Sequence, residues 1–408
     1  MLLKNFFKKL GFIIVAITVA SVIYYCKNKK SEFYSPIILA THTNGEHFVG
    51  SDTCVQCHLD IYTTHVETAH FNTSGIANSN NIKGSFLEHS NVLDLDQVLF
   101  TMEAKNNLFY QNTRIKNRST EIAPEKLDVV IGSGVRGQSY GTWKESALFQ
   151  LQTSYYTPSN SWVLSPGYPN YYDDPRPLRD ACLKCHTTFA KGLDENTSGN
   201  LFNRDQIIYG IDCERCHNTA AKHVAFHNEN PDVKEAQFMI DIQSLSRQQR
   251  LDVCAQCHSG KRELILKGDS FSFVTGEKLS DYSRNARPLS KDEILDVHGN
   301  QYGLLIESEC FKKSEHLDCN TCHNSHSNER GKSEIFNLKC IACHINEKLD
   351  CNASDAEIGK MNNNCIACHM PLNASNSMTV QLSEKDSEET SFYIRTHLID
   401  IYPNVKKQ

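Results

Sequence analysis

The sequence predicts a mainly α-helical and irregular fold of low secondary-structure content, with one small antiparallel β insertion. Three observations predict it. A five-residue signature, C-x-x-C-H, recurs seven times in 408 residues. Only 39% of residues are apolar, which is little for a chain of this length to build a conventional core. The one long interval between signatures holds β-branched and aromatic runs separated by Gly, Pro, Ser and Asn.

The signatures are Cys54-Cys57-His58 (motif 1), Cys182-Cys185-His186 (motif 2), Cys213-Cys216-His217 (motif 3), Cys254-Cys257-His258 (motif 4), Cys319-Cys322-His323 (motif 5), Cys340-Cys343-His344 (motif 6) and Cys365-Cys368-His369 (motif 7). At this Cys and His content chance supplies about 0.03 copies, so the repeat needs a chemical reason. Covalent haem attachment is that reason. Two thiols three residues apart reach the two vinyl groups of one porphyrin, and the next residue lies under the ring, where its imidazole binds iron. Structural zinc also uses C-x-x-C pairs, but it needs pairs of pairs and has no use for a His after every second Cys. A disulfide framework leaves the His equally unexplained. The predicted cofactor is therefore haem c, seven copies, covalently held. It also explains the low apolar content, because haem is itself a large apolar body.

Fourteen of the 17 cysteines are used in this way. Cys26 lies near the N-terminus. Cys310 and Cys351 remain, and an oxidising compartment lets them pair as a disulfide, against the alternative of two buried thiols.

Each element follows in order. Residues 1–30 carry Lys4, Lys8 and Lys9, then an uncharged run from Leu10 to Cys26, then Lys27, Lys29 and Lys30. With bulky Tyr24 and Tyr25 where a cleavage site would want small residues, this reads as an uncleaved signal-anchor holding the chain at the periplasmic side of the cytoplasmic membrane. Cleaved secretion to the periplasm and lipidation at Cys26 are the alternatives. Residues 31–50 read as a linker and 51–90 as the first haem-binding segment. Residues 91–170 form the β-rich insertion, through runs such as 127–132, 147–156 and 161–164. Helices are expected after several motifs, for example over 57–70 in the first haem segment and over 242–257; residues 171–408 form a six-haem domain of short helices and loops. Its polar tail, 371–394, is expected to wrap the surface.

Eleven histidines lie outside the motifs, more than seven irons need as second axial ligands. Bis-His iron is six-coordinate and low in potential, which suits electron transfer. His223 and His326 lie too close in sequence to their own motif's iron and are expected to serve a neighbouring haem. Met370 directly follows His369 and points the wrong way for ligation. The formal charge of −6, to which each haem adds about two carboxylates, favours basic patches on redox partners. Nucleic-acid binding is excluded, as no basic stripe or reader motif exists.

With these residues in view, the chain resembles the cytochrome c-554-type multihaem family over roughly residues 48–400. FVGSDTCVQCH followed by ETAHF resembles that family's first haem and implies His70 as a ligand. CERCHNTAAKHV implies His223, although the family's Gly-Pro is missing there. DVHGNQY with CNTCHNSH implies His298 and His326, and RTHLIDIY implies His397. The fold class is thus a mainly α/irregular multihaem cytochrome c. The expected function is periplasmic electron transfer, with a quinol oxidase module or another cytochrome as partner and the inner membrane reached through the N-terminal segment. The alternative is a reductase of a small nitrogen or sulfur oxo-compound at one five-coordinate haem. No C-x-x-C-K motif of the kind that marks the active haem of pentahaem nitrite reductases is present.

Overall fold

The structure, a computed structural model, describes residues 37–118, 122–193, 199–286, 295–344, 364–381 and 390–402, together with Val15, Ile17–Val19 and Ser21. The pairing of Cys310 with Cys351 falls outside it, because Cys351 is not among the described residues.

The expectation of a mainly α, structure-poor chain is corrected. The molecule is 27% helix and 27% strand, and among the described residues the strands form six antiparallel sheets. The β structure is therefore neither small nor confined to one insertion. Strands β1 (Ala40–Thr41) and β2 (His47–Phe48) pair ahead of motif 1. Strand β3 (Ser74–Ile76) then joins a six-stranded sheet with β8 (Val129–Ile131), β9 (Gly137–Lys144), β10 (Ala147–Tyr156), β11 (Ser161–Leu164) and β12 (Arg176–Pro177). A four-stranded meander runs β4 (Val92–Asp94), β5 (Val98–Lys105), β6 (Leu108–Ile115), β7 (Glu125–Lys126). In β5, Val98, Phe100 and Met102 are buried in strict alternation, the period of a strand with one face covered. Asn106 and Asn107, at φ 52° and 59°, close the β5–β6 hairpin in the left-handed region that Asn tolerates. The two sheets bury one core between them, including Phe100, Tyr140, Leu151 and Trp162. Gln111 of β6 accepts a bond from Thr153 of β10 at 2.7 Å, a polar tie across that core.

Beyond it, short helices carry the motifs, separated by hairpins. Helices α1 (Ser51–Cys54) and α2 (Leu59–His65) flank motif 1, and α3 (Asp180–Leu183) enters motif 2. Strands β13 (Thr187–Gly192) and β14 (Phe202–Tyr209) form a hairpin between motifs 2 and 3. Helices α4 (Cys213–His217), α5 (Ala221–Glu229) and α6 (Arg247–His258) hold motifs 3 and 4, followed by the small hairpin β15 (Leu264–Ile265) and β16 (Ser283–Arg284). Then come α7 (Gln301–Ile306), α8 (Glu309–Lys313), α9 (Cys319–Cys322), α10 (Ser333–His344) and α11 (Cys365–His369). The tail is not a surface wrap: β17 (Leu372–Val380) and β18 (Thr390–Arg395) pair, and Val380 and Phe392 pack on Tyr156 and Val163 of the β unit.

The expected membrane anchor is likewise corrected. Among the described residues no helix is long and apolar enough to cross a membrane, so anchoring at the cytoplasmic membrane is withdrawn. Most of residues 1–36, Cys26 included, lies outside the described residues.

Candidate functional site

Local sequence sets each motif at a helix boundary. Asp212 caps α4 by accepting a bond from the Cys213 amide at 2.8 Å, so motif 3 starts its helix. Asp318 caps α9 from the Thr321 amide at 3.0 Å, which does the same for motif 5. Ser246 and Gln249 form a capping box on α6, whose last turn is motif 4. Asp318 is also gripped by Arg250 at 2.6 Å, tying the start of α9 to α6.

The fold brings motif histidines opposite histidines from elsewhere in the chain, three pairs with near-parallel rings and His70–His258 edge-on. His58 and His223 have ring centroids 6.4 Å apart. His217 and His326 stand at 6.0 Å, His70 and His258 at 6.2 Å, and His323 and His397 at 6.2 Å. Two imidazoles bonded at about 2 Å to one metal, with ring centre and nitrogen about 1.1 Å apart, put their centroids about 6.2 Å apart. All four pairs have that spacing, and none has the centroid distance of a direct stack. The donors therefore fit a haem iron between them. His298 is an electrostatic neighbour of His186, the ring of motif 2. His344 and His369 face no second histidine among the described residues.

The rings are also prepared chemically. Burial, with the neighbouring His258, pushes His70 down to about 4, and burial with His323 does the same to His397. Burial lowers His186, His217, His223, His298, His323 and His326 as well. Neutral imidazole is the form that binds metal. Several rings have one nitrogen fixed. His258 Nδ1 donates to Gln301 Oε1 at 2.9 Å, His223 Nδ1 to the Gln237 carbonyl at 2.8 Å, and His369 Nδ1 to the Asp400 carbonyl at 2.9 Å. Such bonds leave Nε2 free and aimed. His186 Nδ1 lies 2.9 Å from Thr73 Oγ1.

The motif interiors hold residues that the sequence reading passed over. Lys184, between Cys182 and Cys185, is 3% exposed and donates to the carbonyls of Lys261 and Arg262 at 2.6 and 3.0 Å. Arg215, inside motif 3, is buried, donates to the Lys184 carbonyl at 3.0 Å, and has a buried Nε without a partner. Glu214 accepts bonds from the amides of Gly50 and Ala220 at 2.7 Å each and from Val49 at 3.1 Å, lashing motif 3 to the start of motif 1. Burial pushes its carboxyl up to about 7. The available signal was position. A charged side chain between two haem-attaching cysteines lies close to the cofactor edge and is shielded from solvent by it.

Fold and motif clusters together are similar to those of multihaem c-type cytochromes. Residues 138–218, from β9 through motif 3, match the family model described as cytochrome c554 and c-prime. The fold is similar to that of the outer cell wall cytochrome OcwA, at 16% identity and a TM-score of 0.52, covering 86% of this chain and 79% of that one. The undecahaem cytochrome from the S-layer of Carboxydothermus ferrireducens aligns at 18% identity and a TM-score of 0.40, over 82% of this chain and 52% of that one. No curated protein matches the sequence.

Proposed function

We propose that this chain is an electron-transfer protein working outside the cytoplasm, with seven covalently bound haems c and other redox proteins as partners. When bound, haem supplies a one-electron couple. The residues supply the rest. The fourteen motif cysteines would tether the groups, the seven motif histidines would each bind one iron, and His70, His223, His298, His326 and His397 would provide a second ligand to five of them. The observation that carries this reading is the spacing of about 6.2 Å between ring centroids in four separate histidine pairs. Six-coordinate bis-His sites change little in geometry on gaining an electron, so little reorganisation opposes transfer. A quinol oxidase module or another cytochrome is the partner class that fits an acidic carrier of low potential.

A second reading, reduction of a small nitrogen or sulfur oxo-compound, is favoured by one observation. Among the described residues His344 and His369 face no second histidine, although all 18 histidines lie in described segments. An open iron face there would take a substrate. Mass spectrometry of the natively matured chain, with low-temperature EPR of the oxidised protein, tests both. Seven added haem masses with low-spin signals alone support transfer. A high-spin signal that changes on nitrite binding supports the reductase. A colourless chain of bare polypeptide mass removes both.

A further inference from the structure

We infer that the haem sites form a branched network with three surface ends, not a single file in chain order. The inference rests on the haem-binding reading above and concerns the order in which this chain places its motifs.

The attachment thiols mark where each cofactor hangs, and they meet across motifs. Cys54 of motif 1 and Cys213 of motif 3 lie within hydrogen-bonding reach of each other. Glu214 braces the same junction through Val49 and Gly50, immediately before α1. Motif 1 therefore neighbours motif 3, and motif 2, next in sequence, is bypassed. The ligand pairing agrees: the ring facing His58 is His223, carried by α5, the helix directly after motif 3.

Motif 4 is the node. Its Cys257 sulfur lies 3.5 Å from the Lys184 carbonyl of motif 2, and its thiol meets that of Cys185. Arg215 of motif 3 donates to that same Lys184 carbonyl at 3.0 Å, and Cys216 is an electrostatic neighbour of Cys257. On the other side, Cys254 meets Cys319 of motif 5, where Arg250 holds Asp318 at 2.6 Å. Motifs 2, 3 and 5 thus all converge on α6. Among the described residues the path continues from motif 5, since Cys322 neighbours Cys343 and Cys340 neighbours Cys365.

Exposure supports the same map independently. The exposed motif thiols are Cys57, Cys182 and Cys343, which belong to motifs 1, 2 and 6. Both thiols of motifs 3, 4 and 5, the interior of the branched map, are more enclosed, as are both thiols of motif 7. Three arms therefore reach the surface: motif 1 by way of motif 3, motif 2 directly, and motif 6 by way of motif 5. A one-electron donor protein is oxidised at one arm for each one-electron acceptor reduced at another, and the third arm gives the chain a choice of partner.

Iron-edge anomalous diffraction from crystals of the natively matured chain tests the order, because it locates the irons whatever their activity. The expected result is that the three irons nearest to that of motif 4 belong to motifs 2, 3 and 5, and that the nearest neighbour of the motif 1 iron is that of motif 3. Irons running in file, with motif 1 nearest motif 2, overturn the branching while leaving the haem reading intact. A crystal without iron signal removes the haem reading itself, and the branching with it.

Discussion

Replacing Lys184 by Gln removes a positive charge held against the cofactor of motif 2. The side chain is 3% exposed, so water screens it little, and it is pinned by two carbonyls rather than neutralised by an acid. Burial holds its pKa below the ordinary lysine value. Were an iron held by His186, two residues on, to lie on the order of 10 Å from the ammonium, the interaction at an effective dielectric of about 20 would be about 1.7 kcal/mol. For a one-electron couple that is about 70 mV. The sign follows from charge: a cation favours the reduced, less positive iron, so its removal lowers the potential. The assay is a spectroelectrochemical titration of the haem-loaded variant against wild type, with Lys184→Arg as the charge-keeping control. One component, or two if motif 4 feels the same charge, moves down by about this amount in the Gln variant, and in Lys184→Arg it stays. A titration curve that superimposes on wild type, or a shift upward, refutes the reasoning.

His70→Ala leaves the iron of motif 4 with one protein ligand, so the low-spin EPR signal of that one haem converts to high spin, and an unchanged spectrum counts against the pairing. Phe100→Ala empties the fully buried centre of the β unit and costs about 3–5 kcal/mol, read as a lowered denaturant midpoint in Trp162 fluorescence.

The haem motifs were legible because covalent attachment imposes a fixed local spacing, and local spacing is what a sequence displays. The strands were less so. Strand β17 reads LNASNSMTV, polar and without alternation, and only its pairing with β18 and the burial of Val380 against Tyr156 make it a strand. Strand β14, FNRDQIIY, is similarly mixed and depends on β13 across the hairpin. In both, tertiary pairing overrides weak propensity. The assumption that cofactors replace secondary structure also failed for the first 210 residues, where two sheets bury a conventional core ahead of and around the first motifs. What no spacing reveals is which histidine faces which. His326 lies three residues after His323, yet its ring stacks opposite His217, over a hundred residues upstream.

The distribution of apolar packing shows where the cofactors are structural. The three apolar clusters draw their buried residues from the β1–β2 hairpin, from the β unit, from the segments around motif 2, from Phe271 and from the terminal hairpin. Among the described residues none of them takes a member between 272 and 377, the stretch that carries motifs 5, 6 and 7. Short helices α8, α9 and α11 are too brief to hold themselves by propensity, and their ligands are borrowed, as His397 from the tail faces His323 of motif 5. That region buries Leu279, Tyr282, Val297, Leu304 and Leu305 outside any of the clusters, and bound porphyrins would supply the rest of its apolar interior. Cys319→Ala with Cys322→Ala, which leaves motif 5 without attachment, should then expose residues 301–344 to protease while the β unit stays resistant, read by mass spectrometry of the fragments. Equal resistance in both regions would mean that the polypeptide packs this segment unaided.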